Sequence, residues 1–166
     1  MRKYNGGGIV TFEEELMKIL EKQLNTLNDL KKITDEKTQV LIDENLEELV
    51  NITKEEESLI NKVGTLEMER EYILDSWGLG SDTSISTIMP NLPEKEREDL
   101  NQLGEKLYEV IHSIDEANKL NGKLLSDNID WVEFNLNLLT DVQTPTTYGK
   151  KNNNVKTNNT LFDRKV

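Results

Sequence analysis

The sequence predicts an all-α fold: an elongated antiparallel helical hairpin packed on one long C-terminal helix in a coiled-coil-like bundle, with a short helical insert and a disordered tail. Three observations carry that prediction. Apolar residues recur in steps of three and four through three long segments. Only three of the 166 residues are proline, so little interrupts those segments. About a third of the chain is hydrophobic (35%) against 31% charged, which suits surface-rich helices better than a thick globule.

Residues 1–10 read as a flexible lead-in. Gly6, Gly7 and Gly8 lack the spacing and the lysine of a phosphate loop. The helical domain is assigned to residues 11–142. Thr11 followed by Glu14 makes a capping box, and Leu16, Leu20, Gln23, Leu27, Leu30, Thr34, Lys37 and Leu41 then form the seam of a first helix. Asp43 is expected to cap a second helix, whose seam runs from Leu46 and Leu49 through Glu56, Ile60, Val63, Glu67 and Arg70 to Leu74. So short a break implies an antiparallel hairpin, or a kink if Val40, Leu41 and Ile42 keep the helix running.

Gly78, Gly80 and Asp82 interrupt the chain, with Trp77 and Leu79 expected to pack back on the hairpin. Thr83 to Met89 has room for one or two helical turns presenting Ile85, Ile88 and Met89. Pro90 and Pro93 separate that insert from a helix of roughly fifty residues, about 75 Å long, with Asn91 as its expected cap. Its seam passes through Leu100, Leu103, Leu107, Val110, Ile114, Ala117, Asn121, Leu124, Asn128, Trp131, Asn135, Leu138 and Val142. Helical periodicity stops there. Residues 143–166 carry a Lys/Asn-rich tract and are expected to form a flexible tail. From Asp141 onward five Lys and Arg stand against two Asp, so the acidity belongs to the helical body.

A net charge of −12 disfavours nucleic-acid and anionic-membrane partners. The absence of cysteine rules out thiol chemistry, and no apolar run reaches the length of a membrane span. A soluble cytoplasmic protein is expected. His112 has no cysteine nearby, and the carboxylate clusters are the solvated faces of long helices. No catalytic, metal or cofactor site is predicted, and an enzyme is not expected.

The informative residues are polar ones inside apolar seams. Glu56 and Arg70, two heptads and about 21 Å apart, each require amides or an opposite charge on a neighbouring helix. Asn121, Asn128 and Asn135 recur every seven residues. Either they select register within a bundle, or they rim a wet groove that awaits a partner helix. Two hairpin helices of about thirty residues cover only part of the long stripe. The expected remainder includes Leu124, Leu125, Trp131, Phe134, Leu138 and Leu139, with Trp131 and Phe134 as paired anchors.

Glu56, the pair Glu69-Arg70 and the stretch Asn118-Lys119-Leu120-Asn121-Gly122-Lys123-Leu124-Leu125 resemble the flagellar export chaperone FlgN family. The resemblance covers roughly residues 12–149 and includes an N-x-x-N-x-x-L-L signature from Asn118 to Leu125 and a later Thr147-Tyr148-Gly149. It implies a cytoplasmic type III secretion chaperone that holds the C-terminal segments of the hook-filament junction proteins FlgK and FlgL. It further implies that the chaperone prevents premature assembly and delivers its clients to the export gate protein FlhA. On this reading Asn118, Asn121, Leu124, Leu125, Asn128, Trp131, Phe134, Asn135 and Leu138 bind the client, Glu56 and Arg70 form a structural polar seam, and Tyr148 serves handover to the export apparatus. The chain is expected to be a monomer or weak dimer. The competing expectation is a self-associating coiled-coil scaffold, or an adaptor without export clients.

Overall fold

A computed structural model of the protein describes residues 2–5 and 8–142, giving the backbone alone for residues 2–5, 8–10 and 139–142. Two compact units divide the chain, Met1–Ile129 and a second that begins at Asp130. Strands β1 (Arg2–Asn5) and β2 (Gly8–Thr11) precede helices α1 (Phe12–Ile42), α2 (Leu46–Ser76), α3 (Ile85–Ile88) and α4 (Glu94–Val142). A 3₁₀ turn, Met89–Asn91, joins α3 to the approach of α4. The fold is all-α, as the periodicity predicts, with one difference at its start. The expected lead-in pairs as an antiparallel ribbon in which Tyr4 faces Ile9 and Asn5 faces Gly8. β-branched Ile9 and Val10, and a connection of two glycines, are the composition a two-residue hairpin favours.

Thr11 starts α1 as predicted. Its hydroxyl accepts from the Glu14 amide at 3.3 Å, and the Glu14 carboxylate accepts from the Thr11 amide at 3.1 Å. The hairpin turn differs from expectation by two residues. Asp43 closes α1, and Asn45 caps α2 by accepting from the Glu48 amide at 3.1 Å. Between them Glu44 takes a left-handed conformation at φ 53°. The amide of Asn45 bonds back to Val40 and that of Glu44 to Leu41, satisfying two of the last carbonyls of α1. A second closure of the same kind ends α2, where Gly78 holds φ 78°, its amide bonding Asp75 and that of Leu79 bonding Leu74.

The main core lies where the hairpin's open end meets the insert and the start of α4. Leu16, Leu20, Leu74 and Leu100 are fully enclosed there, with Trp77, Ile88 and Leu103 around them. Burying each such leucine contributes about 2 kcal/mol. Trp77 packs back as predicted, edge-on to Phe12 at 5.7 Å between ring centroids, its indole N–H donating to Glu15 Oε2 at 2.7 Å. Leu27, Leu30, Val110 and Ile114 carry a second, smaller apolar cluster further along α1 and α4.

α4 begins at Glu94 rather than near Asn91, because Asn91 belongs to the 3₁₀ turn and Pro93 supplies the first carbonyl, to the Arg97 amide. It runs unbroken through Gly104 and Gly122.

Candidate functional site

Beyond the second apolar cluster the interface between α1 and α4 becomes polar. Asn121 occupies a seam position and is buried. Its Nδ2 donates to the Thr34 carbonyl at 3.0 Å, and its Oδ1 accepts from Thr38 Oγ1 at 2.6 Å. The Thr34 hydroxyl, also buried, donates to its own helix at Leu30. Seven residues on, Asn128 Nδ2 donates to the Leu41 carbonyl at 3.2 Å, in the final turn of α1. Of the two roles open to the asparagines, Asn121 and Asn128 take the internal one: both are spent on α1 backbone, where they fix how α4 lies along it. Asn135 donates to the Trp131 carbonyl of its own helix at 2.7 Å.

The polar residues of α2 find partners by two routes. Glu56, buried, accepts from Lys37 of α1 at 2.6 Å, the opposite charge on a neighbouring helix that the seam requires. Arg70 is satisfied on its own helix instead, since a step of three residues brings Glu67 beneath it. Its Nη2 and Nε donate to Glu67 Oε1 and Oε2 at 2.6 and 3.0 Å, and Gln23 of α1 donates to the same carboxylate at 2.9 Å. The Arg70 hydrogen bond is the main cause holding the Glu67 carboxyl below its ordinary value, against partial burial, which acts the other way. The same bond raises the Arg70 guanidinium above its own.

The remaining expected client residues divide between the two units. In the first, Leu124 is half-buried, Leu125 exposed and Asn118 exposed. In the second, Trp131 and Phe134 are 62% and 61% exposed and Leu138 is 48% exposed. Spacings of three and four set these three on one side of α4. Leu139 and Tyr148 fall outside the residues whose side chains are described. Val132 and Leu136, exposed on another side of the same helix, were not among the expected contacts. Their signal was available, as an i, i+4 apolar pair lying off the seam.

The last helix of this acidic chain keeps large apolar side chains in solvent, a feature common at protein interaction surfaces. The model of the family described as FlgN protein matches residues 12–156. This chain belongs to the FlgN family. Among curated proteins the chain is similar to the uncharacterized protein YvyG of Bacillus subtilis (strain 168), 26% identical over 119 residues that span 71% of this chain and 74% of YvyG. No solved structure gives a significant match. FlgN-family proteins are non-catalytic chaperones of flagellar type III secretion. Among the described residues no group of acidic, histidine or cysteine side chains is arranged to hold a metal, and no helix is long and apolar enough to cross a membrane.

Proposed function

We propose that this FlgN-family chain works in the cytoplasm, where it holds the C-terminal segments of hook-filament junction proteins of the FlgK and FlgL type. It keeps them from assembling early and delivers them to the export gate protein FlhA. The exposed side chains of Trp131, Phe134 and Leu138 on one side of α4 carry this reading. An amphipathic client segment, disordered before binding, folds as a helix against them, and ordering it consumes part of the interaction energy, as suits cargo that must be released. Apolar side chains on more than one side of the helix favour a client that wraps α4 rather than resting on a single face.

Calorimetric titration of the full chain with synthetic C-terminal segments of the two clients tests the site. Trp131→Ala is expected to weaken binding by about 2 kcal/mol or more, roughly thirtyfold. Unchanged affinity in the folded variant removes Trp131 as an anchor. Sedimentation of the free protein separates the scaffold reading, because a tight dimer with no affinity for the segments contradicts a client-holding role. For Tyr148 and the tail, deletion of residues 144–166 is expected to preserve client affinity and reduce transfer. Normal secretion by the truncated protein refutes that handover role.

A further inference from the structure

We propose that the groove between the helical insert and the first four turns of α4 is a second docking surface, which takes a basic amphipathic helix of a partner protein. The surface shares no residue with the client strip and does not depend on that reading. Two shallow depressions of about 490 and 610 Å³ share Ser86, Met89 and Asn101, and so run into one another. Ile85, Met89 and Leu100 give the first of them an apolar floor. Tyr108, 71% exposed, stands at one end with its ring stacked on His112 at 6.2 Å between centroids.

Charge decides the occupant. Glu94, Glu98, Glu105 and Glu109 line the groove, and steps of four, seven and four place them in a single stripe on α4. Among the described residues none of the four is in an ion pair. Arg97, the cation in the lining, donates instead to the Leu92 carbonyl at 3.2 Å. The stripe is about 22 Å long, matching a helix of about fifteen residues. Such a helix meets it with Lys or Arg at i, i+4, i+11 and i+15, keeps an apolar stripe for the floor, and can stack one guanidinium on Tyr108. A second copy of a chain with net charge −12 would bring like charge to the same place.

Gly104 lines the groove mid-helix, where glycine costs about 1 kcal/mol relative to alanine, and a Cβ there would meet nothing within 4 Å. Among the described residues no packing contact calls for glycine at this position. Its missing side chain leaves room in the groove, and Gly104→Leu fills the occupant's space.

The test is fluorescence anisotropy with the full chain and a labelled synthetic helix of about sixteen residues carrying Leu on one face and Lys or Arg at the four stated positions. A scrambled peptide of identical composition is the comparison. The ordered peptide is expected to bind about tenfold tighter than the scrambled one, and high salt is expected to weaken it. Gly104→Leu, and Glu105→Gln with Glu109→Gln, are each expected to weaken it about tenfold at unchanged helicity. Trp131→Ala with Phe134→Ala is expected to leave it unchanged. Equal binding of the two peptides, no binding, indifference to Gly104→Leu, or loss through the Trp131/Phe134 variant would each overturn the proposal.

Discussion

Replacing Asn121 by alanine tests whether a buried amide aligns the last helix on the first. The side chain is 4% exposed and makes two hydrogen bonds, to the Thr34 carbonyl at 3.0 Å and from Thr38 Oγ1 at 2.6 Å. Each contributes about 1 kcal/mol net. The vacated space adds up to about 1 kcal/mol, while the better helix propensity of alanine returns about 0.6 kcal/mol. No orphaned hydroxyl enlarges the loss, because Thr38 Oγ1 also reaches the Thr34 carbonyl at 3.3 Å. A loss of about 2 kcal/mol is therefore expected from urea unfolding followed by far-ultraviolet circular dichroism, at an unchanged m value. Asn121→Leu refills the space with apolar volume and is expected to stay within about 1 kcal/mol of the wild type. A double-mutant cycle with Thr38→Val should give a coupling of about 1 kcal/mol. A loss below about 0.5 kcal/mol for Asn121→Ala, or a cycle that closes at zero, refutes the reasoning.

Three further outcomes follow from the same geometry. Glu44→Gly relieves a left-handed residue at φ 53° and should stabilise the hairpin by up to about 1 kcal/mol; an unchanged or lowered urea midpoint contradicts strain at that turn. Because the folded-state carboxyl of Glu67 sits below its ordinary value of 4.5, its pairing stabilises the fold above that pH and is lost as pH falls through the lowered value. The stability gap between wild type and Glu67→Gln should accordingly stay level from neutral pH to about 5 and close on further acidification; a gap that widens in acid reverses the sign and rejects the assignment. Trp131→Ala should change stability by less than about 0.5 kcal/mol, since the ring is 62% exposed, and a large drop in thermal midpoint would show the ring to be part of the folded core.

Local signals were legible wherever neighbours in sequence are also neighbours in space. The capping box of Thr11 and Glu14 formed because its two residues stand one helical turn apart. The seam gave the core leucines, and the insert presents Ile85, Ile88 and Met89 as its spacing required. The hairpin turn was less legible. Asp43 is the cap that the local pattern points to, and only the back-bonds of the Glu44 and Asn45 amides show that Asp43 ends one helix and Asn45 begins the next. A seam position predicts a partner for Arg70 across the interface, whereas the shorter reach along α2 to Glu67 prevails. The polar asparagines were marked by their heptad spacing, but spacing is the same whether an amide turns inward or outward.

From sequence alone the chain's helical class, its acidic character and its surplus of apolar side chains on α4 were legible, because periodicity and charge are properties of consecutive residues; whether α1 and α2 break into a hairpin or only kink was not. Tertiary structure decided which polar seam residues are spent inside the molecule. Asn121 and Asn128 close on α1 carbonyls, while Trp131 and Phe134 stay in solvent. It also brought the insert alongside the acidic stripe of α4, where Gly104 leaves space. Those outcomes depend on which backbone groups face one another across helices separated by more than eighty residues of chain, as Thr34 and Asn121 are, and no local pattern encodes that distance.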